Sequence, residues 1–277
     1  MKPHAGINGQ LVERDSALVS VFDHGFTVGD GVFETCKVVN GEVFALSRHL
    51  KRLAKSAEII GLDPVDAIKA KTFVQELLRT DKALIPQLAR LRITYTAGVG
   101  PLGSDRLNSK PTLVCVWDPL TPPAKSATLI TSPWPRALGQ AAQGAKTTSY
   151  IENVLALRYA KSRGGTEALI FNDAANACEG TGSNLFAVFG ERVLTPSLAD
   201  GCLAGITREL ILEWFEVTET SLTASQLLHA DGLFLSSTTR DIQQVAQFDD
   251  HEYAPTNALV KRWQQEFKAR ANQNLDP

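Results

Sequence analysis

The chain has 277 residues, 44% of them apolar and 21% charged. That is ordinary globular composition, which excludes a disordered or fibrous chain and leaves room for one large domain or two modest ones. Lys and Arg number 28 against 30 Asp and Glu, a net charge of −2, so the chain has no electrostatic footprint for nucleic acid or an anionic membrane, and a small molecule or another protein is the expected partner. No run reaches the roughly 18 apolar residues of a membrane span. The opening Met1-Lys2-Pro3-His4-Ala5-Gly6 lacks the apolar core of a signal peptide, which predicts a cytoplasmic protein. Cys36, Cys115, Cys178 and Cys202 are widely spread and read as reduced, buried thiols. The five histidines are scattered too, and no metal site is expected.

In chain order, residues 7–12 read as a first strand. Residues 32–46 read as a hairpin turning at Asn40-Gly41, a pair that supplies the positive φ angles of a type I′ turn. Ser47 is the expected N-cap of a helix with Leu50, Leu53, Ala54, Ala57 and Ile60 at helical spacing, ended by Gly61. A second helix is expected over 65–79 and strands over 88–96 and 112–117. The proline-rich stretch Asp118-Pro119-Leu120-Thr121-Pro122-Pro123-Ala124-Lys125 is a stiff connection. It predicts a smaller α/β domain over 1–118, a connection over 119–126 and a larger domain over 127–277. The second half reads as strands at 127–131, 167–171, 185–189, 192–195 and 232–236, with helices at 151–163, 207–215 and 255–270. Mixed elements in both halves argue for two α/β or α+β domains.

Gly98-Val99-Gly100-Pro101-Leu102-Gly103 matches the spacing of a dinucleotide fingerprint, with Asp118 about 20 residues on. The fingerprint needs a helix opening on its third glycine. The polar run Ser104 to Lys110, closed by Pro111, offers none, so a flexible loop is expected instead. Lys146 lies in the small, hydroxyl-rich segment Gly144 to Tyr150 before an amphipathic helix. Glu179 and Asn184 flank a small-residue turn before an apolar strand. Gly205-Ile206-Thr207-Arg208 opens a helix whose N–H groups form an anion site. Ser236-Ser237-Thr238-Thr239 places four hydroxyls at a strand end. Arg48, Arg52 and Arg136 supply candidate guanidinium groups. Singly these are a surface lysine, turns and caps. Together they form the set that pyridoxal phosphate requires: an amine for its imine, a carboxylate against its ring nitrogen and donors for its phosphate.

With those residues in view, the sequence resembles the class IV (fold type IV) pyridoxal phosphate enzymes: branched-chain aminotransferases, D-amino-acid transaminases and 4-amino-4-deoxychorismate lyases. The resemblance rests on Glu179, Thr181, Asn184 and Phe186, on Val193-Leu194-Thr195, and on Leu203 to Arg208. Gly29 to Thr35 and His49 to Leu53 add to it in the N-terminal half. It implies a two-domain fold whose larger C-terminal domain has a mixed sheet or barrel, and a homodimer acting on a small amino substrate. It also implies roles. Lys146 would carry the cofactor and act as general acid and base. Glu179 would contact the pyridine nitrogen. Arg52, Ile206, Thr207, Ser237 and Thr238 would hold the phosphate. Tyr150 would reach the phenolic oxygen or simply pack.

Phe33, Arg92 and Arg106 are the candidates facing substrate. The D-specific members carry an arginine where this chain has Ala97, which lowers that activity. Arg92 and Arg106 together would suit a substrate with two carboxylates. The run Leu91 to Ser104 and the segment Lys146 to Tyr150 look most like the lyase members, so the expected activity is 4-amino-4-deoxychorismate lyase, giving 4-aminobenzoate and pyruvate. The alternative is an aminotransferase using a branched-chain or other L-amino acid, or an amine, and the remote one is a cofactor-free binding relative.

Overall fold

The computed structural model describes residues 3–80 and 84–277; Met1 and Lys2, the start of the opening segment, lie outside them. The chain forms two units. One takes the chain up to Pro122 together with Ala145–Ser149 and Asn274–Pro277; the other comprises Pro123–Gly144 and Tyr150–Gln273. The first division falls inside the proline-rich connection. The two short returns correct the predicted 127–277 domain. The first return is made by backbone pairing with Gly31 to Phe33 and the second by the Asp276 carboxylate and one backbone bond, neither of which leaves a periodic pattern in the sequence.

Unit 1 contains β1 (Pro3–Ile7), β2 (Gln10–Glu13), α1 (His24–Thr27), β3 (Gly31–Val39), β4 (Glu42–Val43), α2 (Leu46–Ile59), α3 (Ala67–Thr80), β5 (Leu88–Thr96) and β6 (Thr112–Pro119). The strands make one antiparallel sheet in the order β2-β1-β6-β5-β3-β4. Along β5, Ala89, Leu91, Ile93 and Tyr95 are buried while Arg90 and Arg92 are exposed, the alternation of a sheet with one covered face. The covering layer is α2 and α3, whose Leu50, Leu53, Phe73 and Leu77 join Cys36, Leu91 and Ile93 in one core.

Two local expectations change. Residues 7–12 are not one strand: Asn8 (φ +49) and Gly9 (φ +86) turn the chain between β1 and β2, by the same chemistry as Asn40 (φ +51) and Gly41 (φ +83) between β3 and β4. Ser47 is not the N-cap of α2, which begins one residue earlier behind Ala45. The Asp276 carboxylate accepts from the Ser47 amide (2.8 Å) and hydroxyl (2.6 Å), so a distant acid serves this helix end. The Ala45 amide donates to Leu275 O at 2.6 Å, which fixes residues 274–277 on unit 1.

Unit 2 contains β7 (Ser126–Thr131), α4 (Ile151–Lys161), β8 (Glu167–Phe171), β9 (Ala177–Gly180), β10 (Asn184–Phe189), β11 (Arg192–Thr195), α5 (Ile206–Trp214), β12 (Thr218–Glu219), α6 (Ala224–Leu228), β13 (Gly232–Ser237), β14 (Asp241–Phe248), β15 (His251–Glu252) and α7 (Ala258–Gln273). The path β10-β13-β14-β7-β8-β9 closes where Asn184 of β10 pairs with Glu179 of β9, making a six-stranded barrel. Its β14–β7 and β7–β8 pairs are parallel and the rest antiparallel. All six strands contribute to one apolar cluster, with Leu129, Leu169, Ala177, Leu185, Leu235 and Val245 among its members. Phe186 and Phe234 sit opposite each other on β10 and β13 and stack at 4.6 Å, with Trp263 of α7 at the edge of the pair. The fold is thus α/β, with a half-barrel sheet in one unit and a closed mixed barrel in the other.

The glycine run after β5 opens no helix; residues 97–111 are irregular up to β6. Gly98 (φ +82) lies so close to the Lys110 carbonyl that a Cβ would overlap it. Gly98→Ala should therefore lower stability by about 2–3 kcal/mol. Gly103→Ala, where a Cβ meets nothing within 4 Å, should stay within about 0.5 kcal/mol. Urea unfolding of both variants checks this, and equal effects would contradict it.

Candidate functional site

In unit 1 the lysine segment is laid along the first residues of β3. Thr147 bridges Val32. The Phe33 amide donates to Lys146 O (2.9 Å), and the Thr148 amide donates to Gly31 O (2.8 Å). The Thr148 and Ser149 hydroxyls both donate to Gly29 O, at 2.7 and 3.0 Å. The Lys146 amide donates to Ser56 Oγ of α2 at 3.1 Å. The lysine backbone is therefore fixed from both sides while its ammonium lies 4.4 Å from the Phe33 ring centroid. Arg92, on the neighbouring strand, places its Cζ 3.4 Å from the same centroid and donates to Thr35 Oγ1 at 3.0 Å. Three sequence candidates, Lys146, Phe33 and Arg92, thus meet around one ring.

Arg52 lies one layer away, on α2, and its fork grips Glu34 of β3: Nε to Oε1 at 2.7 Å and Nη2 to Oε2 at 2.6 Å. His49 Nδ1 donates to Glu34 Oε2 at 2.6 Å. Glu34 and His49 are fully buried. Burial by itself raises the Glu34 pKa, but the Arg52 charge and hydrogen bond, with help from His49, bring it down to about 2 from an ordinary 4.5. Burial, the Arg52 charge and the Lys146 charge push the His49 pKa below its ordinary value against the pull of Glu34, so His49 is a neutral Nδ1–H donor at pH 7.

Arg106 is placed differently from its predicted role. Its Nε and Nη2 each donate to Asp30 at 2.6 Å, Nη1 donates to Gly61 O (2.5 Å), and Nη2 also reaches Ile60 O (2.9 Å). It ties the glycine loop to Asp30 and to the end of α2. Spacing alone could not show this, because its carboxylate partner lies 76 residues earlier.

In unit 2, Glu179 is buried at the end of β9. Its Oε1 pairs with Arg136, and its Oε2 accepts from the Leu203 amide (2.9 Å) and Asn184 Nδ2 (3.3 Å). Arg136 also donates to Gly201 O at 3.0 Å. Burial disfavours the Arg136 charge, yet the adjacent Glu179 carboxylate outweighs it and raises the arginine's pKa. Asn184 Oδ1 stands where a Cβ on residue 205 would lie, so Gly205 is required for the strand and the start of α5 to approach. Ile206 and Thr207 form the buried first turn of α5, and Gly205 at its N-cap makes no side-chain cap. Ser237 ends β13, with Thr238 next in the turn; the Ser236 and Ser237 hydroxyl oxygens are buried without a hydrogen-bond partner. Tyr150 Oη donates to Thr181 O at 2.7 Å, and Asn153 Nδ2 donates to the same oxygen at 2.8 Å. Within unit 2 Asn184 links Glu179 to the start of α5 that carries Ile206 and Thr207, Ser237 and Thr238 lie at the β13 turn, and Tyr150 reaches the Thr181 carbonyl. Glu34, Glu167 and Arg240 are functional candidates the sequence reading missed. A glutamate opening the apolar strand Glu167-Ala168-Leu169-Ile170-Phe171 is the one local signal it offered.

Comparison with known proteins gives a consistent picture. The family profile for amino-transferase class IV matches residues 31–248. A putative branched-chain-amino-acid aminotransferase of Methanocaldococcus jannaschii is 34% identical, over 95% of this chain and 94% of its own. The aminodeoxychorismate lyase of Bacillus subtilis is 27% identical, over 95% and 94%. Among solved structures, a branched-chain aminotransferase from Thermoproteus uzoniensis, crystallised with norvaline, superposes with a TM-score of 0.88 at 27% identity, over 95% of this chain and 93% of that one.

Glu34 gives a pH prediction. Its carboxyl titrates lower in the folded chain than in the unfolded one, so its stabilisation is present at neutral pH and is lost as pH falls from about 4.5 towards 2. Glu34→Gln should lower stability by on the order of 3 kcal/mol at pH 7, and the gap to the parent should close over that acid window. Urea unfolding at a series of pH values measures it; a gap that does not change with pH would contradict the assignment.

Proposed function

The chain belongs to the class IV aminotransferases, and from that membership we propose that it transfers the amino group of an L-amino acid with an apolar side chain to a 2-keto acid. Class IV aminotransferases are pyridoxal phosphate enzymes, and this chain's residues fit the cofactor. Two buried serine hydroxyls without partners at the end of β13 are donors in want of an acceptor, and the start of α5 carries the backbone N–H groups of a helix N-terminus behind a glycine. In this reading Lys146 carries the cofactor. Glu179, held by three donors, faces the ring nitrogen. Arg52, Ile206, Thr207, Ser237 and Thr238 serve the phosphate, and Tyr150 braces the Thr181 turn. Bound pyridoxal phosphate supplies an electron sink that weakens the substrate's Cα–H bond. Lys146 Nζ takes that proton and returns it. Arg136, with Asn184 and the Leu203 amide, fixes the orientation of the Glu179 carboxylate.

The observation that carries the substrate reading is the Phe33 ring with Arg92 and Lys146 both over it. A guanidinium that shares the Phe33 ring with Lys146 suits one substrate carboxylate. Arg106, whose Nε, Nη1 and Nη2 between them donate to Asp30, Gly61 O and Ile60 O, leaves one such arginine rather than two, which favours a simple amino acid over a dicarboxylate. Ala97, buried with its amide on Asp30 O, has no guanidinium to offer a D-substrate. The name of the Methanocaldococcus relative supports the same choice. The lyase is the second reading, supported by similarity to the Bacillus enzyme over nearly the whole chain. A homodimer belongs to the proposal: Leu18, Val21, Phe22 and Phe26 are exposed apolar residues within nine positions.

The test is one pair of incubations of cofactor-loaded protein. L-leucine with 2-oxoglutarate should give keto acid over many turnovers. 4-Amino-4-deoxychorismate alone should give neither pyruvate nor 4-aminobenzoate. The reverse result would establish the lyase. Arg92→Leu should raise KM for the amino acid about tenfold or more, and light scattering should give twice the 30.0 kDa chain mass.

A further inference from the structure

Unit 2 holds a second buried carboxylate that the proposed chemistry does not use. Glu167, 1% exposed, opens β8. Its Oε1 accepts from the Thr181 amide (3.0 Å), the Thr181 hydroxyl and the Ala168 amide (3.2 Å). Its Oε2 accepts from Arg240 Nη2 (2.7 Å) and the Ser183 hydroxyl (3.3 Å). Arg240 Nη1 also donates to the Ser183 hydroxyl at 3.3 Å.

The strand registers explain why these groups meet. The start of β8 pairs with the end of β9, the start of β10 with the end of β13, and the end of β13 with the start of β14. Glu167, the 181–183 turn and the 238–240 turn therefore lie at one end of the barrel. In the sheet order β8 is separated from β14 by β7, so no ladder bond joins β8 to the β13–β14 turn. The ion pair does so through side chains. Arg240 is well placed to transmit it, because its own amide donates to Ser237 O (3.0 Å) and closes the turn that carries Thr238. The next residue, Asp241, sits in the left-handed region (φ +55), a conformation that a non-glycine residue adopts under constraint.

We propose that Arg240 and Glu167 are a positioning pair that holds the Ser237–Thr238 turn in the shape that grips the cofactor's phosphate. Both side chains act through the turn rather than on the cofactor. Glu167 anchors the two hairpin turns to one another, and Arg240 carries that anchor to its own turn through its amide on Ser237 O. The inference rests on the reading that Ser237 and Thr238 serve the phosphate.

The experiment compares pyridoxal phosphate with pyridoxal, which lacks the phosphate, by absorbance titration of the cofactor-stripped full-length protein. Arg240→Met and Glu167→Gln should each weaken pyridoxal phosphate about tenfold and change pyridoxal by less than twofold. The double variant should be no weaker than the worse single one, since both act through one link. It also leaves no buried charge unpaired, so it keeps the test readable if a single variant fails to fold. Thr238→Val is the reference. If Thr238→Val lowers the preference for the phosphorylated form and the Arg240 and Glu167 variants do not, the positioning role is overturned and the phosphate reading stands. If none of them lowers it, both fall.

Discussion

Burying a carboxylate costs several kcal/mol unless a cation and hydrogen bonds answer it, and among the described residues strand glutamates are answered in this way: Glu34 by Arg52, Glu179 by Arg136 and Glu167 by Arg240. Each pair joins an acid in the sheet to an arginine outside its own strand. The Arg52 fork on Glu34 tolerates little rotation, while the single-nitrogen contacts of Arg136 and Arg240 are fixed by the further hydrogen bonds around each glutamate. Glu34 sets where the Arg52 guanidinium stands against α2. Arg136 sets the orientation of Glu179, with Asn184 and the Leu203 amide completing the frame. The polar parts of the proposed site thus hang from three rigid contacts rather than from flexible loops.

Lys146 is positioned by a different device. Its segment returns to unit 1 and lies against Gly31 to Phe33 through backbone bonds. Asp30, beside those residues, is gripped by Arg106. Its neighbours Gly29 and Gly31 accept from Thr148 and Ser149. The loop arginine therefore supports the strand start that supports the lysine. That is a use for Arg106 that does not need it to meet substrate.

Much of the fold could be read from the chain. The strands at 88–96, 167–171 and 192–195 fall where expected because their apolar residues alternate or run unbroken between turn signals. β14 escaped because Gln243 and Gln244 break its apolar run. They are buried all the same, and their amides are satisfied by Ala124 O and Ala254 O. The return of residues 145–149 to unit 1 left no mark, since main-chain pairing of small polar residues has no periodic signature. The site shows the same division. Glu179, Asn184 and the start of α5 sit in a compact motif and were legible. Glu34 meets Arg52 18 residues away and Glu167 meets Arg240 73 residues away, and a glutamate opening an apolar strand is the one local sign of either pair.

We propose that this chain carries pyridoxal phosphate on Lys146. The direct measurement is to load the protein with the cofactor, reduce the lysine–cofactor bond with borohydride, digest, and locate the pyridoxyl group by mass spectrometry. The account predicts stoichiometric label on the peptide containing Lys146, and none after Lys146→Ala. Label on another lysine, or no label at saturating cofactor, would contradict it.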